Sequence, residues 1–196
     1  MHPQPIHIAH ATIYMSPPTE LLPLQVAGVA TDNVRSIKPT ANAPTPPALG
    51  EVWPGQGGIL VATIPAMLGM PARHVIASQD EISLKFGPYV EVPGASSHVD
   101  GRANTGALFD HDDEHPAAQW AYEYTADGHT DFFLPARFDL LMAHLQAPQA
   151  FKDGRHWTST QIDRGTAFAQ YFTSGSSGWY CRDYEFRVRA VRTIQL

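Results

Sequence analysis

The chain contains little cysteine, few charged residues and no long apolar run. Its only cysteine, Cys181, excludes an intramolecular disulfide and any zinc site built from several cysteines. The chain has 13 Lys and Arg residues against 19 Asp and Glu residues, which gives a net charge of −6. A chain with this charge is not expected to have the positive surface that nucleic-acid binding requires. No apolar run reaches the roughly 18 residues that span a bilayer. We therefore expect neither a nucleic-acid partner nor membrane insertion.

The N-terminus shows no signal peptide, because it has neither a basic stretch nor an apolar stretch after it. Together with the lone cysteine, this predicts folding in a reducing cytoplasm. Hydrophobic residues make up 43% of the chain and exclude wholesale disorder, while 196 residues suffice for one ordinary domain. The 17 prolines and 15 glycines favour short strands and loops over a helical bundle.

The first fifty residues differ from the rest in composition. Residues 6–14 are β-rich and bounded by prolines, which predicts one strand. Residues 39–47 are rich in proline, which lacks an amide donor and so opposes both a helix and a central strand. We predict an extended N-terminal arm at 1–50, acting in assembly or anchoring, and a globular domain at 51–196. A free terminus is the alternative interpretation of the arm.

The pattern of the globular part is that of an α+β domain. Apolar or alternating runs bounded by turn residues predict strands at 57–64, 74–78, 82–86, 156–160, 166–173 and 184–191. In the last of these, Arg187 and Arg189 are expected to share one face. Together with Arg192 they would pair with acidic neighbours or meet an acidic partner.

Two helices are predicted, at 115–124 and at 134–145. The first has Pro116 at a favoured early position. The second carries apolar residues at helical spacing, which predicts a buried face made of Phe138, Leu141, Met142 and Leu145. We expect Leu134, Phe138 and Leu141 to share the core with Trp157.

Three segments carry a resemblance to a known family. Residues 128–140 have the order Gly-x-x-Asp-Phe-x-Leu-Pro-x-x-x-Asp-Leu, residues 156–161 read His-Trp-Thr-Ser-Thr-Gln, and residues 186–192 read Phe-Arg-Val-Arg-Ala-Val-Arg. In this order they resemble the DUF1566 family, the C-terminal domain type of the Legionella collagen-like adhesin. Phe132 replaces that family's usual Trp, and Asp139 replaces its Glu. Residues 57–59 and 100–105 resemble the variant common in phage structural proteins.

The resemblance implies a C-type-lectin-like α+β domain with two helices and a small twisted antiparallel sheet. The Glu-Pro-Asn or Gln-Pro-Asp and Trp-Asn-Asp triplets of calcium-dependent lectins are absent, so calcium-dependent sugar binding is not implied. The reactive cysteines of the related sulfatase-activating enzymes are absent too. No cofactor is therefore expected.

On this basis the predicted function is non-enzymatic. The resemblance implies a phage virion surface protein, either a tail-fibre or receptor-binding protein or a capsid decoration, which assembles in the host bacterial cytoplasm. Its expected partners are other virion proteins, through the arm, and a glycan or protein of the host surface. By analogy it is a homo-oligomer, with a trimer as the first expectation. The alternatives are a bacterial carbohydrate-binding adhesin module and a metal-dependent hydrolase.

The predicted binding residues lie near the C-terminus. Trp179, Tyr180, Arg182 and Asp183 follow a Gly/Ser turn, and Tyr171 precedes it. Aromatic rings with a polar tip suit both sugar stacking and protein interfaces. Packing of these rings in the core is the alternative.

The densest polar cluster spans residues 110–115. Its carboxylates and imidazoles make Asp112, Asp113 and His115 the metal candidates. The alternative is a solvated loop whose acidic residues favour the start of the following helix. No catalytic residue is predicted, because the ten histidines are scattered and no Gly-x-Ser-x-Gly motif occurs.

Overall fold

Two β-sheets and three α-helices form the part of the chain that the computed structural model describes, residues 45–196. The chain divides into two units, Met1–Ala41 and Asn42–Leu196. The predicted strand at 6–14 and most of the predicted arm lie outside the described residues. The predicted α+β class is confirmed. No helix in the described part is both long and apolar enough to cross a membrane.

The first sheet has four antiparallel strands in the order β1-β2-β3-β9. Its strands are β1 (Val52–Trp53), β2 (Gly58–Ile64), β3 (Arg73–Ala77) and β9 (Val191–Gln195). A Cβ at Gly58 would lie 2.0 Å from the Ala77 carbonyl oxygen, so only glycine allows β2 to approach β3 at that point.

The second sheet has five strands in the order β4-β8-β5-β6-β7. They are β4 (Ile82–Lys85), β5 (Arg155–Gln161), β6 (Thr166–Tyr171), β7 (Ser177–Cys181) and β8 (Glu185–Val188). The pairing of β5 with β8 is parallel, and the other neighbours are antiparallel. Because side chains alternate along a strand, each strand contributes residues to both faces of this sheet.

The prediction of one continuous strand at 184–191 is wrong. The chain leaves the second sheet after Val188 and enters the first at Val191. Between them, the buried Arg189 donates its Nε–H to the Ser78 carbonyl oxygen at 2.7 Å, while the Ser78 amide donates to Ala190 O at 2.8 Å. These bonds to the end of β3 direct the chain from one sheet to the other.

Helix α1 (Gly101–Phe109) is not among the predicted helices. Its sequence has two glycines and no clear apolar stripe, so local propensity does not favour it. An N-cap bond and a long-range bond stabilise it instead. The Asp100 side chain accepts from Ala103 N at 2.9 Å, and the buried Thr105 hydroxyl accepts from Leu134 N at 3.0 Å.

Helix α2 (Pro116–Glu123) is confirmed, but the predicted buried face of α3 (Arg137–Gln146) is only partly right. Phe138 and Met142 are partly buried and pack against the core, as predicted, but the other two residues do not. Leu141 is 39% exposed and Leu145 is 67% exposed, whereas Leu140 and Ala143 are buried. The cause is Asp139, which points inward to form a buried ion pair with Arg73 at 3.0 Å. This contact rotates the helix away from the phase that hydrophobic spacing indicates.

The three segments that carry the resemblance meet inside the fold. Ser159 N donates to Pro135 O at 2.8 Å, which joins the second segment to the first. Phe133 and Val191 exchange backbone hydrogen bonds, which join the first segment to the third. Leu134 and Trp157 are completely buried, as predicted. The segments therefore build the core of the domain.

Candidate functional site

An aromatic pocket with a volume of about 260 Å³ opens on one face of the second sheet. It is lined by Arg155 of β5, Tyr180 of β7, Phe186 of β8 and Tyr184 from the turn before β8. Pairing places Arg155 opposite Tyr171 of β6, which makes Tyr171 a direct neighbour of the lining. We call this set of five side chains the aromatic pocket.

The rings of the aromatic pocket support one another. Tyr184 stacks on Phe186 with ring centroids 5.7 Å apart and planes inclined by 15°. Tyr180 meets Phe186 edge-on at 5.3 Å. Phe186 also packs at 4.6 Å against the buried Trp157, whose Nε1–H donates to Leu84 O. The outer ring, Tyr184, is 52% exposed, so it offers a flat face to solvent on a fixed base.

Arg155 supplies the charge of the pocket. Its guanidinium carbon lies 4.8 Å from the ring centroid of Tyr171 and 4.9 Å from that of Tyr180. Its Nε is buried and has no hydrogen-bond partner. Among the described residues, no carboxylate lies within 4.0 Å of this guanidinium. The pocket therefore combines exposed aromatic faces with an unneutralised positive charge.

The structure places the predicted binding residues in different parts of the domain. Tyr180 and Tyr171 both contact Arg155 in the aromatic pocket. Trp179 points to the opposite face of β7, where its ring lies 5.1 Å from that of Phe168. Asp183 is exposed beside Tyr89, and a hydrogen bond to Asp183 raises the pKa of Tyr89 to about 12.

Arg182 is completely buried, so its placement on a binding surface is wrong. Its guanidinium donates to the carbonyl oxygens of Pro88 and Val90 and to Oε1 of Gln161. Burial lowers the pKa of Arg182 to about 10. These acceptors attach the β7–β8 turn to the loop after β4 and to the end of β5, and this role is structural.

Three members of the aromatic pocket, Arg155, Tyr184 and Phe186, are absent from the predicted binding set. Tyr184 and Phe186 are two residues apart, so strand alternation indicates a shared face. The sequence predicts two consecutive strands here, but it does not give the register that places Arg155 opposite Tyr171.

The polar loop at 110–115 does not assemble a metal site. Within residues 45–196, no group of three His, Cys, Asp or Glu side chains is placed to hold a metal ion. Asp112 and Asp113 are exposed, while His115 is buried with its ring edge-on to Phe86 at 6.1 Å. Burial, followed by the positive charge of Arg182, lowers the pKa of His115 to about 4. His115 is therefore a neutral core residue at neutral pH.

The carboxylates near α3 are committed to arginines. Asp131 accepts from Arg192 Nε at 2.8 Å, and Asp139 pairs with Arg73. Burial alone would raise the pKa of Asp131, but the hydrogen bond and the charge of Arg192 outweigh it and lower the pKa. Burial raises the pKa of Asp139 in spite of Arg73. These ion pairs are structural links between α3, its preceding loop and the first sheet.

A second charged region, the Glu81 cluster, lies on the other face of the second sheet. The Glu81 carboxylate is almost completely buried and contacts Lys152 at 3.3 Å, Arg187 at 3.1 Å, His156 at 3.4 Å and Arg189 at 3.9 Å. Burial would raise the pKa of Glu81, but the His156 hydrogen bond and the surrounding charges lower it to about 2. With Arg192 bound to Asp131, the three C-terminal arginines all pair with acidic neighbours, one of the two predicted outcomes.

No protein-family model matches the chain, and no curated protein is significantly similar to it.

Proposed function

We propose that the chain is a non-enzymatic attachment protein that binds a carbohydrate in the aromatic pocket. The observation that carries the proposal is the exposed, supported ring of Tyr184 beside the unneutralised Arg155. The carbon-bound hydrogens of a sugar ring would lie on Tyr184, and its oxygen atoms would accept from Arg155 and the hydroxyl of Tyr180. Because Phe186 and Trp157 already hold the rings, binding would order few side chains.

A C-type-lectin-like fold is part of this proposal. It is supported by the way in which the three resembling segments pack together, since Pro135 contacts Ser159 and Phe133 pairs with Val191. It is also supported by the mixture of helices with mainly antiparallel strands. The domain has three helices where the resemblance implies two, and α1 is the additional one.

We place this attachment function on the surface of a phage virion, with the host glycan as ligand. The support is the resemblance to the variant found in phage structural proteins, together with a chain that needs no disulfide. In this proposal the N-terminal segment joins the domain to other virion proteins, and the particle presents several copies. A bacterial adhesin module with the same pocket is the second candidate.

The pocket is tested by binding of the fluorescently labelled full chain to a panel of intact bacteria. Tyr184→Ala should weaken binding by at least about tenfold, because truncated aromatic anchors commonly cost about 2 kcal/mol. The matched control is Tyr122→Ala, which removes a 46% exposed tyrosine from α2. Periodate oxidation of the cell-surface sugars should abolish binding of the unaltered chain. Wild-type binding by Tyr184→Ala, with Tyr122→Ala unchanged as well, would contradict the assignment of the pocket.

The location is tested separately by immunogold electron microscopy with antibodies against the chain. Particles released from the strain that carries the gene are compared with cell envelopes of the same strain. Labelled particles support the virion assignment. Labelled envelopes with unlabelled particles support the adhesin alternative instead.

A further inference from the structure

We propose that the aromatic pocket selects a sugar that bears a carboxylate, such as a uronic acid, and that Arg155 binds the carboxylate. The inference rests on the proposed function, because it names the ligand class of the same pocket. It concerns selectivity rather than affinity alone. A neutral sugar would use only the rings, whereas an acidic sugar would use the rings and the charge.

The Arg155 guanidinium has hydrogen-bond donors that nothing in the described part of the fold uses. A guanidinium has five N–H donors and no acceptor. Tyr171 and Tyr180 contact it through their ring faces, which fix its position without using those donors. Its buried Nε has no partner, and no described carboxylate neutralises it. The side chain is thus held in place with its hydrogen-bonding capacity unused.

The neighbouring arginines differ from Arg155 in their surroundings. Arg187 donates to Glu81 at 3.1 Å and to Asp153 O at 2.9 Å, and Arg189 donates to Ser78 O at 2.7 Å. These arginines, which lie in or just after β8, have internal acceptors. Arg155, on the adjacent strand β5, is left without one. An anion that arrives from solution would supply the acceptor that the fold omits.

Geometry favours a carboxylate as that anion. Planar guanidinium and carboxylate groups form two parallel charge-assisted hydrogen bonds, which are roughly twice as strong as neutral ones. The exposed face of Tyr184 lies in the same pocket and suits an apolar ring face. A ring with a carboxylate at its edge matches both features together. The pocket of about 260 Å³ suits a single ring of a glycan chain.

The test is a glycan array in which each uronic-acid oligosaccharide is printed beside its carboxyl-reduced neutral counterpart. The full chain should bind the acidic member at least about tenfold more tightly, a typical effect of a charge-assisted pair. Added salt should reduce this preference, since it screens the ion pair. Arg155→Met keeps an unbranched stem similar to that of arginine but removes the guanidinium and its charge, and it should bind both members equally.

The matched control is Arg102→Met. Arg102 is exposed, lies over the Phe133 ring at 4.8 Å and belongs to α1, outside the pocket. This variant should retain the full preference. Arg155→Lys is measured as well, so that the assignment stays testable if Arg155→Met does not fold. It keeps the charge and loses the planar fork, so its preference should fall to an intermediate value.

The outcomes separate the two proposals. Equal binding of the acidic and neutral members by the unaltered chain, with both lost in Tyr184→Ala, overturns the carboxylate inference and leaves carbohydrate binding in place. A full preference in both Arg155→Met and Arg155→Lys also overturns the inference. Binding of no glycan by the unaltered chain overturns the proposed function and this inference with it.

Discussion

Two positively charged regions lie on opposite faces of the second sheet and differ in whether the fold neutralises them. Arg155 and His156 are consecutive residues of β5, so their side chains point to opposite faces. His156 enters the Glu81 cluster, where a buried carboxylate binds the surrounding charges. Arg155 enters the aromatic pocket, where rings position the charge and nothing neutralises it. One face is thus closed and structural, while the other is open and available to a ligand.

The difference has an energetic consequence. A buried charge that loses its partner costs several kcal/mol, because no solvent replaces the partner. An unpaired charge at an open pocket is already solvated in part, so its removal costs little. Substitutions in the Glu81 cluster should therefore act on folding, and substitutions in the pocket should act on binding.

The largest expected effect is that of Glu81→Gln. It leaves the buried Arg189 and its neighbours without a carboxylate and should lower the free energy of unfolding by about 3–5 kcal/mol. Urea unfolding of the full chain measures it. Arg155→Met should cost less than about 1 kcal/mol, the typical size of a cation–π contact. Equal losses for the two variants would remove the distinction between the faces.

The next effect extends the same contrast to α3, where adjacent residues differ in burial. Leu140→Ala should cost about 2–5 kcal/mol, because Leu140 is 1% exposed in the core. Leu141→Ala should cost less than about 1 kcal/mol, because its side chain is 39% exposed. Denaturant midpoints of the two variants give the comparison. A larger loss of stability in Leu141→Ala than in Leu140→Ala would mean that Leu141 lies on the buried face, as hydrophobic spacing indicates.

The smallest effect is a dependence of stability on pH. Burial lowers the pKa of His156 below 6.5, so protons favour the unfolded chain as the pH falls through that value. The Glu81 pKa is lowered from 4.5 to about 2, so its contribution is present above 4.5 and is lost as the pH falls towards 2. The melting temperature should therefore fall in two stages on acidification. In Glu81→Gln the lower stage should be smaller but still present, because the pKa of Asp131 is also lowered in the folded chain. A lower stage of unchanged size would assign it to groups other than Glu81.

Local patterns in the sequence are sufficient to predict much of this fold. Helix α2 follows from a proline at its start, and the burial of Trp157 follows from its place in the resembling Trp-Thr-Ser-Thr motif. The sequence does not predict which face of α3 is buried, because this depends on an ion pair between Asp139 and Arg73, which are far apart in the chain. Helix α1 is not predicted for the same reason, since it is stabilised by a hydrogen bond between its Thr105 and the distant Leu134.

The candidate site is only partly predictable. Tyr171 and Tyr180 are accessible to sequence reasoning because aromatic residues on either side of a Gly/Ser turn suggest a surface. Arg182 misleads, because a charged residue in a polar stretch is normally exposed, and here three acceptors satisfy it inside the fold. Arg155 is missed because its partners come from other strands, and strand order is a property of the whole sheet.

The crossing of the chain from β8 to β9 also determines when the domain can finish folding. Strand β9 pairs with β3 so that Gln195 lies opposite Arg73, a contact of very high sequence separation. The first sheet therefore cannot close during synthesis until the ribosome has released the residues up to Gln195, and such long-range closure is slow. Until then β3 presents an unpaired strand edge, on which another nascent chain can pair. Premature termination before Val191 would make that aggregation-prone edge permanent.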